Sequence, residues 1–173
     1  MSALTSNKKV KQSPSLKARA LRLLSQREYS RKSLAVKLAE SEARWGKLGG
    51  EQAEQTPESR HTQIEAVLDD FEARGWLSDE RFAEALVRRR SERYGTRKIA
   101  DELEKAGVDS KRSAKLLVAL KETEFQRAFD LWFRKYGVRP QDQKEKARQY
   151  RFLASKGFGS EIVAKVIGGQ TPD

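Results

Sequence analysis

Of the side chains that commonly perform covalent or metal chemistry, this sequence offers one histidine, His61, and no cysteine. A nucleophile–base triad needs a base oriented by a third group, and a transition-metal site needs several nitrogen or sulfur donors. His61 has no such partners and reads as a surface residue beside a glycine-rich stretch. Gly49-Gly50 lacks the Lys-Ser/Thr that follows the glycines of a phosphate loop, so nucleotide binding is unsupported. Asp69, Asp70, Glu72, Asp101, Glu102 and Glu104 sit on helical faces among basic residues, where surface pairing one turn apart accounts for them. A metal-dependent nuclease would need carboxylates clustered for a metal, and this spacing does not cluster them. The expectation is a non-enzyme with no cofactor, no metal and no catalytic residue.

The basic residues carry more information. The net charge is +11, spread as two positive blocks around an acidic one. Met1 to Lys37 holds ten Lys/Arg against one acid, 38–87 holds five against twelve, and 88–173 holds twenty-one against twelve. Such asymmetry suits a polyanion, or a protein partner that itself carries nucleic acid. Arg88, Arg89, Arg90, Arg93, Arg97 and Lys98 fall within eleven residues around a helix end and a Tyr94-Gly95 turn. With Phe82, Ala85 and Leu86 as the buried stripe, Arg89 and Arg93 continue it, and Arg88 and Arg90 point outward. A second group, Lys144, Lys146, Arg148, Arg151 and Lys156, decorates one helix, and a third runs from Lys17 to Lys37. Arg88, Arg90, Arg97, Lys98, Lys144, Lys146, Arg148 and Arg151 are the candidate contacts. Their targets would be phosphates, making any DNA binding weak, salt-dependent and indifferent to base sequence. Phe125, Phe129, Trp132 and Phe133 keep helical spacing and read as packed core, not a base-stacking platform. Trp76-Leu77 reads as a plug between modules.

Almost every periodic segment has the helical repeat. Ile64, Val67, Leu68 and Phe71 draw one apolar stripe, and no segment sustains the alternation of a half-buried strand. The spacing predicts helices near 15–27, 31–44, 61–74, 79–93, 96–106, 110–121, 123–136, 142–156 and 160–168. Ser78, Ser110 and Ser160 are the expected N-caps, and Gly75, Gly107 and Gly157 the expected left-handed stops. The nine helices repeat. A shift of 65 pairs Ala20 with Ala85, Leu21 with Leu86, Leu34 with Ile99 and Leu38 with Leu103. A shift of 50 pairs Leu103 with Leu153, Gly107 with Gly157 and Ser110 with Ser160, and Tyr94-Gly95 recurs as Tyr136-Gly137. The fold class is therefore all-α, with three tandem three-helix modules forming an elongated, curved helical-repeat protein. Their bounds are 15–77, 78–121 and 122–173, after a disordered basic tail over 1–14. A flexible insertion over about 45–60 interrupts the first module. No run of about 18 apolar residues could cross a membrane, the N-terminus lacks a signal's apolar core, and the absence of cysteine fits a reducing cytoplasm.

Specific stretches resemble the RecX family of regulators of the RecA recombinase. Gly75-Trp76-Leu77-Ser78-Asp79-Glu80-Arg81-Phe82-Ala83 is similar to the family's signature between its first two units. Tyr94-Gly95-Thr96-Arg97-Lys98-Ile99-Ala100-Asp101-Glu102-Leu103 with Gly107-Val108 resembles its second unit. Arg151-Phe152-Leu153-Ala154-Ser155-Lys156-Gly157-Phe158 resembles the end of its third, and the likeness covers about residues 16 to 168. The resemblance implies a three-repeat monomer that binds RecA nucleoprotein filaments in their groove or blocks their growth. It also implies inhibition of recombinase ATPase and strand exchange, and so modulation of recombination and repair. The insertion at 45–60 and the basic N-terminal extension depart from the family pattern. The competing reading is a stand-alone helix-turn-helix-like DNA-binding protein, although no single helix concentrates Asn, Gln and Arg for base recognition.

Overall fold

The computed structural model describes residues 14–47 and 56–172, and among these every regular element is an α-helix. The tail expected over 1–14, apart from Pro14, and most of the expected insertion lie outside the described residues. The chain divides into two compact units, residues 1–78 and 79–173.

The first unit holds α1 (Leu16–Leu24), α2 (Arg31–Lys47) and α3 (Pro57–Ala73). Local chemistry sets the helix starts. Ser15 Oγ accepts from the Ala18 amide, and Thr56 Oγ1 accepts from the Ser59 amide with Pro57 at the first helical position. The helices therefore claim Trp45 to Lys47 and Pro57 to Arg60, and the insertion is narrower than its glycine and glutamate content predicts. Tyr29, Leu34, Leu38, Ile64, Val67, Leu68, Phe71 and Leu77 form one core with Ala20. Trp76 packs edge-on to Phe71, and Leu77 enters the core. Around the core, Arg31 reaches three carboxylates of α3, Glu65 at 2.5 Å, Asp69 at 2.7 Å and Glu72 at 2.6 Å. Burial alone would ease its proton off, but these bonds outweigh that and hold the guanidinium more firmly protonated than usual. Arg19 makes a buried ion pair with Glu42.

The second unit holds six helices. Its first core, of Ala83, Leu86, Ile99, Leu103, Val108 and Leu120, joins α4 (Asp79–Arg90), α5 (Thr96–Lys105) and α6 (Ser110–Glu122). Its second, of Ala128, Trp132, Leu153, Phe158, Val163, Val166 and Ile167, joins α7 (Glu124–Lys135), α8 (Gln143–Ser155) and α9 (Ser160–Ile167). Inside it the Trp132 indole N–H donates to Gln149 Oε1 at 2.7 Å, which satisfies two buried polar groups at once.

The same C-terminal turn closes α5 and α8. Gly107 and Gly157 adopt positive φ, the Val108 amide donates to Leu103 O and the Phe158 amide to Leu153 O. Gly75 closes α3 with a comparable pattern onto Phe71 O. In each turn the leucine or phenylalanine supplying the carbonyl is a core residue, so helix stop and packing register are set together. The starts differ from expectation. Asp109 and Gly159 are the cap residues, Ser110 and Ser160 being the first helical ones; Asp109 Oδ1 accepts from the Lys111 amide at 2.6 Å.

The repeat also needs one correction. Leu34, Leu38, Ile99 and Leu103 are all buried, as the shift of 65 requires. In the preceding helices burial pairs Ala20 with Ala83, not Ala85, and Leu21 is 44% exposed where Leu86 is buried. Helix α4 has twelve residues against nine in α1, so one shift cannot keep both helices in phase. The Tyr-Gly steps likewise differ: Gly137 is left-handed, whereas Gly95 is extended and caps α5. Leu103→Ala and Leu38→Ala are each expected to destabilise their unit by about 2–5 kcal/mol, as for a buried leucine. Urea unfolding of the two variants measures this, and a loss under about 1 kcal/mol at either site would contradict the shared core position.

Candidate polyanion contact surface

The buried stripe of α4 runs through Ala83 and Leu86 toward Val87 and Arg90, one residue out of phase with the predicted Phe82, Ala85 and Leu86. That shift changes which arginines are available. Arg90 is partly buried; its Nε donates to Glu102 at 2.9 Å and its guanidinium lies 5.1 Å from the Tyr94 ring centre. Arg88, Arg89 and Arg93 are exposed, so Arg89 and Arg93 do not continue the packed face. Arg97 is exposed on the first turn of α5, and Lys98 beside it leans over Tyr94 at 4.7 Å. On α8, Lys144, Lys146, Arg148 and Arg151 are all exposed, with Arg148 3.6 Å from Glu145. Helical spacing puts Lys144, Arg148 and Arg151 on one side of α8, away from buried Gln149 and Leu153, whereas Lys146 falls on the opposite side, next to the buried face.

The two groups meet only at one end. The C-terminus of α8 abuts the turn between α4 and α5, where the Gly95 amide donates to Lys156 O at 2.9 Å. Lys144 lies about 18 Å further along α8, at 1.5 Å per residue. The aromatics divide as well. Trp132 is buried and Phe125 and Phe129 pack partly against its core, but Phe133 is 57% exposed and stacks on Phe129, contrary to the expected core position. Phe133 lies at the edge of the aromatic stripe, about 100° around the helix from Trp132.

The residues that hold this junction were not singled out by sequence. Arg127, on α7, sends Nη1 to the carbonyls of Ser91 at 2.9 Å and Tyr94 at 2.7 Å, and Nη2 to Leu120 O at 2.8 Å. Burial pushes its pKa down from the ordinary arginine value, an effect the nearby Glu124 charge opposes. Glu124 is itself buried and its Oε1 accepts from the Thr96 amide at 3.0 Å, capping α5 from another helix. Arg134 adds a bond to Glu92 O at 3.2 Å. One signal was available: Glu124 falls in line with Ala128 and Trp132 at four-residue intervals, an acid at an apolar-stripe position. Gly95 completes the fit. A Cβ there would lie 2.3 Å from Gly157 O, so only glycine allows the two backbones to meet.

His61 is exposed, and Asp69, Asp70, Glu72 and Glu102 are taken up by Arg31, Lys17, Arg74 and Arg90. Lys17 and Arg74 hold Asp70 below the usual carboxylate range. Among the described residues no three His, Cys, Asp or Glu side chains come together to hold a metal, and no helix is long and apolar enough to cross a membrane.

Family models for the second and third three-helix domains of RecX match residues 78–111 and 122–167. The chain is 44% identical to the regulatory protein RecX of Leptothrix cholodnii, over 88% of this chain and 87% of that one. This chain belongs to the RecX family. The RecX of Herminiimonas arsenicoxydans is 40% identical over 86% of this chain and 88% of its own length. In fold, the chain is similar to the crystal structure of RecX from Lactobacillus salivarius, with a TM-score of 0.64 at 18% identity, covering 88% of this chain and 92% of that one. A second RecX crystal structure matches with a TM-score of 0.66 at 20% identity, over 90% of this chain and 72% of that one. The family is one of regulatory proteins, and RecX three-helix domains account for the two cores of the second unit.

Arg127→Met is expected to leave the Ser91 and Tyr94 carbonyls short of a partner, while Leu120 O keeps its bond from Thr123 Oγ1 at 3.3 Å, and to cost about 1–3 kcal/mol for each acceptor that stays dry. Arg127→Lys should recover little of this, because one ammonium cannot reproduce the planar fork. Thermal unfolding of the two variants tests it, and wild-type stability in either would contradict the clamp.

Proposed function

We propose that the chain regulates the RecA recombinase by binding its nucleoprotein filament in the groove, inhibiting ATPase and strand exchange, and does no chemistry of its own. The observation that carries this reading is membership of the RecX family together with exposed cations on both three-helix domains of the second unit. Arg88 and Arg97 lie on one, Lys144, Lys146, Arg148 and Arg151 on the other, with Arg90 and Lys98 at the junction. A filament presents DNA phosphates and acidic protein surface along one groove, and separated cation groups on a common body gain from engaging both. Direct binding to single- or double-stranded DNA is correspondingly weak, unspecific in sequence and salt-dependent. The protein acts as a cytoplasmic monomer. The residue bounds 15–77, 78–121 and 122–173 are our proposed modules, the last two docking on the filament as one piece.

The assay is recombinase ATPase on single-stranded DNA, titrated with intact protein, with Arg88→Gln/Arg97→Gln, and with Lys144→Gln/Arg148→Gln/Arg151→Gln. Intact protein is expected to inhibit fully, and each variant to require several-fold more protein for the same effect. If the intact chain leaves ATPase and strand exchange untouched, the proposal fails. A strong preference for one duplex site at high salt would instead favour a stand-alone DNA-binding protein.

A further inference from the structure

Three lysines of the second unit lie over aromatic rings at its internal junction. Lys98 Nζ is 4.7 Å from the centre of the Tyr94 ring. Lys156 Nζ is 5.5 Å from that centre and 5.6 Å from the centre of Phe152, so it spans both rings. Lys135 Nζ lies 4.0 Å from the centre of Phe152. Tyr94 and Lys98 belong to the turn and helix after α4, Lys135 to the end of α7, and Phe152 and Lys156 to the end of α8. Neither three-helix domain holds the whole set.

The way these charges are held separates them from their neighbours. Arg90, Arg112 and Arg148 are each tied to a carboxylate, by Glu102, Asp79 and Glu145. None of the three lysines forms an ion pair among the described residues. A carboxylate partner offsets part of a cation's charge, whereas an aromatic face orients an ammonium and leaves most of its three donors available. With ammonium groups held over them, Tyr94 and Phe152 serve as supports for lysine and not as surfaces for stacked bases. The backbone beneath cannot drift. Gly95 and Gly157 are in contact, and a Cβ on Gly157 would lie 2.5 Å from Lys98 Cβ. A single free phosphate needs a convergent pocket, but three cations strung over two adjoining rings match a chain of phosphates.

We propose that Lys98, Lys135 and Lys156, seated on Tyr94 and Phe152 across the junction, form a binding site for consecutive phosphates of a nucleic-acid strand. This deepens the function proposed above by naming where the strand lies. Because its test uses bare oligonucleotide, failure here leaves filament regulation standing, and failure of filament regulation leaves this site standing.

The full chain is titrated by fluorescence anisotropy with oligothymidylate and with an abasic deoxyribose-phosphate strand of equal length, across a salt series. Each single change, Lys98→Gln, Lys135→Gln or Lys156→Gln, is expected to reduce the log–log salt slope by about 0.7, and the triple by about 2, on both strands alike. The matched charge removal on α6, Lys111→Gln/Lys115→Gln/Lys121→Gln, is expected to leave the slope nearly unchanged. Lys-to-Arg replacement at all three sites should retain it. The proposal is overturned if the α6 control lowers the slope equally, or if the abasic strand fails to bind while oligothymidylate does. It is also overturned if none of the single variants lowers the slope, whether or not the triple folds.

Discussion

A guanidinium among backbone carbonyls sets the architecture of the larger unit. The turn after α4 presents the Ser91 and Tyr94 carbonyls, and the end of α6 presents that of Leu120. Arg127 meets them from α7 with two nitrogens of one planar fork. Glu124, one turn earlier, accepts the Thr96 amide that the start of α5 leaves over. Burying such a pair is unfavourable unless its donors and acceptors are satisfied, and here the backbone supplies the partners. The result joins two small cores, neither of which has much apolar mass, through polar bonds that demand one orientation.

That orientation brings Tyr94 beside the end of α8 and gives the lysines around it a common floor. Basic surface placed on independent modules would present separate weak charges. Placed on one body it presents a fixed pattern, and the ordering cost of aligning it is met when the chain folds. The glycines at 95 and 157 serve the same end, because their missing side chains permit the close approach on which the Gly95 to Lys156 bond depends.

Much of the fold was legible in sequence because helix-stop turns are local. A glycine followed by an apolar residue, with a leucine or phenylalanine upstream, identifies the turn, the register and the accepting carbonyl together, as at Leu103-Gly107-Val108 and Leu153-Gly157-Phe158. Helix faces next to charged runs were harder. A stripe of Phe82, Ala85 and Leu86 turns Arg90 outward; Leu86 is buried as that stripe requires, but its buried companion is Ala83, which turns Arg90 inward. Spacing alone places Phe133 with the core, but it sits at the edge of the stripe about 100° from buried Trp132 and is exposed. The clamp escaped notice for a different reason. Glu124 and Arg127 look like an ordinary exposed pair until a turn some thirty residues away is laid over them, and no local pattern reports that. Which exposed cations touch a polyanion is likewise a property of the partner as much as of this chain.

Polar bonding through Arg127 and Glu124 should make the two cores of the second unit open as one. Native-state hydrogen exchange across a denaturant series measures this directly, read at the amides of Thr96, Leu103, Leu153 and Val163. The expected result is a single opening free energy shared by all four, with Thr96 as protected as the helix interiors. If Thr96 exchanges at the rate of a frayed helix end, or if Leu153 and Val163 open well before Leu103, the two cores are independent and the clamp is not what unites them.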